Sequence, residues 1–113
     1  MTVEELKLLT DIKTAIISID EHLQFKRDYN LYCTNKTMRR AVERELEIIG
    51  EAVNMLLKVN PAISISYARL IVDLRNKVIH AYDNVNDTII WKIVMKDIPV
   101  LDSEVSILLS NTN

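Results

Sequence analysis

The first half of the chain repeats apolar residues at the three- and four-residue spacing of two amphipathic helices. Thr2, with Glu5 three positions later, has the form of a capping box, so the first helix should begin near Val3. The second should run from about residue 36 to 59, because Asn35 is a suitable N-cap and Asn60-Pro61 stops a helix. The stripes expected to face the core are Leu6, Leu9, Ile12, Ile16, Ile19 and Leu23 in the first helix and Met38, Val42, Leu46, Ile49, Val53 and Leu56 in the second.

The second half carries shorter apolar runs separated by polar turns. Ser64 or Ser66 can cap a third helix that ends near His80, and a polar turn at residues 83–87 precedes a fourth helix. Pro99 either interrupts that helix or lies in the first turn of a fifth helix capped by Asp97. Residues 25–35 are irregular, and we expect one short helical turn there. The pattern predicts an all-α, up-down bundle of four or five helices, in a single domain spanning residues 1–113.

Composition narrows the class of protein further. Only one Gly and two Pro occur among 113 residues, so the helices must be long. The single cysteine, Cys33, excludes an intrachain disulfide and favours a reducing compartment. No apolar run of about 18 residues and no signal-peptide pattern occur, so we expect a soluble, cytoplasmic protein without a membrane span. The net charge of −2 argues against a broad nucleic-acid binder, and an RNA contact would need a local patch.

One segment, residues 74–82, concentrates chemically useful side chains. Arg75 offers a planar fork for phosphate, and His80 can take and give a proton near neutral pH. On a surface helix such residues often only pack their stems and solvate their tips. On a straight helix Arg75 and His80 lie about 140° apart, whereas Asn76 lies one turn from His80 and is a candidate to orient it. The helix is therefore distorted or ends near His80, or a second chain completes the site.

Three blocks of residues resemble one known family. Residues 75–82 have the spelling R-N-x-x-x-H-x-Y, which is similar to the R-x-x-x-x-H-x-Y signature of the HEPN superfamily and of its HepT branch in particular. Residues 44–52 resemble the R-x-L-E-x-I-G-E-A helix of HepT-type proteins. Residues 85–99 resemble their V-x-x-x-x-x-W-x-I-V-x-x-D-x-P segment. The blocks occur in the same order and span Arg44 to Leu101.

The resemblance implies a function as well as a fold. HepT-like proteins are helical endoribonucleases that act as toxins of bacterial toxin–antitoxin pairs, need no metal or cofactor, and pair their motifs across a homodimer. Their usual partner is a minimal nucleotidyltransferase (MNT) antitoxin, which can attach AMP to the motif tyrosine, here Tyr82. Arg75 and His80 would be the catalytic residues. The alternative is a non-catalytic helical subunit that binds the nucleotidyltransferase or presents substrate to it, because the superfamily includes members without catalysis.

The residues themselves agree with cleavage of RNA without a metal. Two histidines and one cysteine without close ligand spacing argue against a dedicated metal site. In RNA the substrate supplies the nucleophile, its 2′-hydroxyl, so the protein needs a proton acceptor, a proton donor and a cation. One chain offers a single motif histidine, His80, whereas a symmetric dimer offers two.

Charged residues of the second predicted helix are candidates for a supporting role. Lys36, Arg40 and Arg44 recur every four residues and form one ridge, which is either a solvated face with helix ion pairs or a strip for the RNA backbone. Glu47 and Glu51 would brace Arg75 if this helix packs beside the motif.

Overall fold

The structure, a computed structural model, describes residues 1–66, 68, 71–73 and 87–111, and all of their regular structure is helical. Residues 71–73 are helical, and five α-helices have both ends within the described residues. These are α1 (Val3–His22), α2 (Tyr29–Thr34), α3 (Lys36–Val59), α4 (Asp87–Lys92) and α5 (Ile98–Ser110). The prediction of an all-α fold is confirmed for this part of the chain.

Side-chain caps set the start of both long helices in the first half. The Thr2 hydroxyl oxygen accepts a hydrogen bond from the Glu5 backbone N–H at 3.1 Å, and the Glu5 carboxylate accepts one from the Thr2 N–H at 3.4 Å. The Asn35 side chain accepts from the Met38 N–H at 3.0 Å. Because these caps satisfy N–H groups that have no partner within the helix, α1 and α3 begin where the sequence predicts.

The core forms where α3 packs against α1 and where α1 also packs against α5. The predicted apolar stripe of α3 is buried in full. The prediction for α1 is wrong at Leu6, which is only half-buried, whereas Leu8 and Ala15 are buried. Contact with two neighbouring helices instead of one explains this difference, because it widens the buried face of α1 beyond a single stripe.

A π-helical turn, Ile93–Asp97, joins α4 to α5 without a break. The Ile98 N–H donates to the carbonyl oxygen of Ile93, five residues earlier. Pro99 lies in the first turn of α5, as one of the two alternatives predicted. The predicted cap at Asp97 is wrong, because its backbone is helical and its side chain makes no capping hydrogen bond. The chain is already helical when it enters α5, so no cap is needed.

None of the helices in the described ranges has both the length and the apolar character needed to span a membrane.

Candidate functional site

The residues predicted to carry the chemistry, Arg75, His80 and Tyr82, and the orienting residue Asn76 lie outside the described residues. The structure does describe the chain on both sides of residues 74–86, and it describes all of α3. Those regions show how the chain before and after the segment is held and where the predicted supporting residues lie.

On the amino-terminal side, α5 holds the chain through Glu104. The Ser66 backbone N–H donates to both Glu104 carboxylate oxygens, at 3.0 and 3.2 Å, and the Ser66 hydroxyl lies 2.8 Å from one of them. A separate link, from Lys13 to Asp102, joins α1 to α5. The chain is therefore attached to α5 by directed hydrogen bonds at Ser66, eight residues before the segment begins.

On the carboxyl-terminal side, two contacts attach the first turn of α4 to the preceding helices. The Tyr29 hydroxyl lies 2.7 Å from the Thr88 hydroxyl. The Arg39 Nε atom lies 3.8 Å from the Asp87 carboxylate, and its guanidinium also donates to the Cys33 carbonyl oxygen. Asp87 comes five residues after Tyr82, so these contacts lie close in sequence to the predicted site.

Three aromatic rings pack in the same place. The centroid of Trp91 lies 5.5 Å from that of Tyr29 and 5.3 Å from that of Tyr32, with the rings tilted by 56° and 44°. Tyr32 is completely buried, whereas the other two are half-buried. We refer to Tyr29, Tyr32, Arg39, Asp87 and Trp91 as the aromatic–polar cluster.

Burial sets the electrostatics of this cluster. The Tyr32 hydroxyl is buried without a hydrogen-bond partner among the described atoms. Burial, reinforced by the negative charges of Glu43 and Asp87, raises the pKa of Tyr32 above its ordinary value. Burial also raises the pKa of Glu43. The positive charge of Arg40 lowers this pKa, and the negative charge of Asp87 raises it further. The Tyr32 phenol therefore stays protonated near neutral pH and cannot act there as a base.

The predicted basic ridge is exposed along α3, but its members differ in their ion pairs. Lys36, Arg40 and Arg44 are all exposed. The Arg44 guanidinium lies 3.1 Å from the Glu47 carboxylate, as the helix ion-pair interpretation predicts. Exposed pairs of this kind contribute little to stability. A contact between the ridge and RNA stays a prediction.

Glu47 and Glu51 line a groove of about 480 Å³ between α1 and α3. Its lining carries more carboxylates than cations, together with several apolar side chains. The charged lining residues are Lys7, Asp11, Arg44, Glu45, Glu47 and Glu51, and the apolar ones are Leu8, Ala15, Ile48, Ala52 and Met55. The two predicted supporting carboxylates thus share one surface. Their contact with Arg75 stays a prediction, because Arg75 lies outside the described residues.

Sequence reasoning missed the residues that attach the flanks, namely Glu104, Arg39 and Thr88. Arg39 and Asp87 are 48 positions apart, and no local spacing signals such a pair. The contact between His22 Nε2 and the Glu45 carboxylate on α3, at 2.8 Å, likewise joins residues 23 positions apart. In the described ranges no three His, Cys, Asp or Glu side chains are grouped to hold a metal ion.

Comparison with known proteins places the chain in a family. The family model "Ribonuclease HepT-like" matches residues 12–108. The chain is 39% identical over 97 residues to "Probable ribonuclease HepT" of Thermococcus cleftensis, covering 82% of this chain and 84% of that protein. It is 36% identical over 107 residues to "Putative RNase MJ1380" of Methanocaldococcus jannaschii, covering 86% and 95% respectively. No solved structure matches the chain.

The matched range contains residues 44–52, 75–82 and 85–99, and therefore all three blocks of the sequence resemblance. The chain belongs to the HepT-like ribonuclease family.

Proposed function

We propose that this protein is a metal-independent endoribonuclease that uses Arg75 and His80. The observation that carries the proposal is that the R-N-x-x-x-H-x-Y segment lies within the range that matches a ribonuclease family. The hydrogen-bonded flanks at Ser66 and Thr88 support it, because a catalytic segment must be held in place by its surroundings.

The reaction needs only groups that two copies of the chain supply. His80 of one copy takes the proton from the RNA 2′-hydroxyl, whose oxygen forms a bond to the adjacent phosphorus. The bond from phosphorus to the 5′-oxygen breaks, and His80 of the other copy protonates that leaving oxygen. Arg75 stabilises the charge that develops on the phosphate oxygens. The products are a 2′,3′-cyclic phosphate and a 5′-hydroxyl.

A homodimer follows from this division of roles, with the two 75–82 segments facing each other. We expect a light-scattering mass of twice the 13.0 kDa chain at micromolar concentration. In this proposal Glu47 and Glu51 brace Arg75, and the observation that supports it is that both carboxylates line one groove beside α3. A monomer at that concentration would contradict the shared site.

The biological role that we propose is that of a toxin paired with an MNT antitoxin, which neutralises it by adding AMP to Tyr82. An AMP group two residues from His80 adds negative charge and bulk where RNA must enter. Co-expression with the cognate nucleotidyltransferase should add one or more AMP masses, and Tyr82→Phe should abolish the gain. Unchanged modification of that variant would assign the site to another residue.

A non-catalytic subunit of a nucleotidyltransferase is the second candidate. The observations that favour it are the net charge of −2 and the excess of carboxylates in the α1–α3 groove. Both reduce affinity for RNA. Growth arrest on expression without the nucleotidyltransferase is expected only of the toxin.

Cleavage of total cellular RNA by the purified protein tests the enzyme directly. Each of His80→Ala and Arg75→Ala should slow cleavage by about 100- to 10,000-fold. The double variant should lose far less than the product of the two factors, because both residues act on one transition state. EDTA should leave the native rate unchanged. Full activity in His80→Ala would refute the proposed role of this histidine.

A further inference from the structure

The contact between Glu104 and Ser66 joins α5 to the chain that enters the predicted catalytic segment. After Ser66 the chain is helical at residue 68 and at residues 71–73. Asp73, the last of these residues, comes two positions before Arg75. Two residues span at most about 7 Å, so the Arg75 backbone lies within that distance of Asp73 in any conformation. The position of Asp73 therefore limits where Arg75 can lie.

Buried side chains fix the rotation of this helical stretch. Ala68, Ile71 and Val72 are all buried, and they follow the three- and four-residue spacing that places side chains on one face of a helix. Apolar packing is not directional, so it resists rotation of the helix better than sliding along its axis. Directed hydrogen bonds at one end of the helix are needed to fix its axial position.

Glu104 supplies such hydrogen bonds. Its two carboxylate oxygens accept from the Ser66 backbone N–H at 3.0 and 3.2 Å, and one of them also accepts from the Ser66 hydroxyl at 2.8 Å. An ionised acceptor makes stronger hydrogen bonds than a neutral one. Because one carboxylate holds both a backbone and a side-chain group of Ser66, the chain has little freedom at this residue.

The core fixes the helix that carries Glu104. Leu101 and Val105, three residues before Glu104 and one residue after it, are almost completely buried. The Lys13 ammonium lies 2.5 Å from the Asp102 carboxylate and joins α5 to α1, which in turn packs against α3. Glu104 therefore connects Ser66 to a helix whose own position is set by the α1–α3 core.

We propose that Glu104 is a positioning residue for RNA cleavage. By holding the Ser66 N–H and hydroxyl, it fixes the start of the helical chain that leads to Arg75, and so sets where the guanidinium meets the phosphate. Glu104 acts through Ser66 and does not touch the substrate. The inference rests on the proposed ribonuclease function. A displacement of about 1 Å at a catalytic group can slow a reaction by about 100-fold, so such a contact matters for the rate.

The experiment compares two variants that each remove one carboxylate from α5. Glu104→Ala loses the contacts with Ser66, whereas the matched control Asp102→Ala loses the ion pair with Lys13 and keeps those contacts. The kcat and KM values are measured on a short RNA that the native protein cleaves, and urea denaturation compares the stability of the variants. Glu104→Ala should lower kcat by about 10- to 100-fold with little change in KM, because the RNA still binds but Arg75 is misplaced. Asp102→Ala should keep the native kcat.

A conservative variant separates the hydrogen bonds from the charge. In Glu104→Gln the amide oxygen can still accept from the Ser66 N–H, and the amide NH₂ can donate to the Ser66 hydroxyl. This variant should therefore keep most of the native kcat. If Glu104→Ala does not fold, Glu104→Asp takes its place, because its shorter side chain keeps the charge but withdraws the carboxylate from Ser66.

Hydrogen exchange gives a measurement that does not require cleavage. The backbone amides of residues 66–82 should exchange faster in Glu104→Ala than in the native protein, because the start of this stretch is released. Exchange in Asp102→Ala should match the native protein over the same residues. Mass spectrometry of proteolytic peptides measures both.

A native kcat in folded Glu104→Ala would overturn the positioning role, as would an equal loss of kcat in Asp102→Ala. Glu104→Gln as slow as Glu104→Ala would also overturn it, because the hydrogen bonds would then not be the cause. A lowered kcat without faster exchange would assign Glu104 to direct contact with RNA instead. If the native protein cleaves RNA and Glu104→Ala is unaffected, only this inference fails. If the native protein cleaves no RNA, the ribonuclease proposal fails and the role in cleavage fails with it, whereas faster exchange would still establish that Glu104 holds the chain before Arg75.

Discussion

The α1–α3 interface and the aromatic–polar cluster differ in the kind of group that they bury. At the interface, Ile49 and Val53 are completely buried on a continuous apolar stripe. In the cluster, Tyr32 is just as buried but leaves its hydroxyl without a partner among the described atoms. Close by, Arg39 is 3.8 Å from Asp87, and burial raises the pKa of Glu43.

The comparison shows that burial stabilises the fold at the α1–α3 interface and costs some stability in and around the aromatic–polar cluster. The side chains of the apolar stripe of α3 have no polar atoms to satisfy, so their burial is favourable throughout. An unpaired buried hydroxyl and a desolvated carboxyl are both unfavourable. These unfavourable groups lie around Asp87, which comes five residues after Tyr82 in the sequence.

The largest effect on stability is expected from the interface. Ile49→Ala should lower the free energy of unfolding by about 2–5 kcal/mol, because it removes a completely buried side chain and leaves a cavity. Urea denaturation measures the change. The control Ile107→Ala, at an exposed position of α5, should stay within about 0.5 kcal/mol of the native protein. Equal losses in both variants would show that the α1–α3 interface is not the core.

A smaller change in the free energy of unfolding, of opposite sign, is expected in the aromatic–polar cluster. Tyr32→Phe should raise the free energy of unfolding by about 1 kcal/mol, because it removes a buried hydroxyl that has no described partner. The matched variant Tyr29→Phe should instead lower it by about 1 kcal/mol, because it removes the 2.7 Å hydrogen bond to Thr88. Destabilisation by Tyr32→Phe would mean that its hydroxyl has a partner in the native protein.

The smallest change in the free energy of unfolding is expected at Glu43, and it should depend on pH. Because the folded pKa of Glu43 is raised, the folded state holds its proton more tightly than the unfolded state does. The native protein therefore loses stability as pH rises from the unfolded carboxyl pKa through the folded one. Glu43→Gln cannot ionise, so it should be more stable above that range, by less than about 1 kcal/mol after solvent screening.

This advantage of Glu43→Gln should disappear as the pH falls below about 4, where both states of the native protein are protonated. Thermal melts of the two proteins across pH 3 to 8 measure it. An advantage that grows towards acid pH would contradict the raised pKa.

Local patterns predicted the regular part of the fold well. The caps at Thr2 and Asn35 and the buried stripe of α3 depend on residues three or four positions apart, and all are confirmed. The π-helical turn at Ile93–Asp97 was not predicted, because an i+5 hydrogen bond leaves no apolar period of its own. The surroundings of the site were missed for a different reason. Tyr29–Thr88 and Ser66–Glu104 join residues far apart in sequence, so only the folded chain brings them together.

The central claim is that the RNA 2′-hydroxyl, and not a metal-activated water, attacks the phosphorus. The most direct test uses a short RNA that the native protein cleaves, made again with a single 2′-deoxy residue at the cleaved position. We expect cleavage there to stop, while the all-ribose RNA gives 2′,3′-cyclic phosphate or 3′-phosphate ends with EDTA present. Cleavage of the deoxy substrate, or 3′-hydroxyl ends that appear only with magnesium, would contradict the roles proposed for Arg75 and His80.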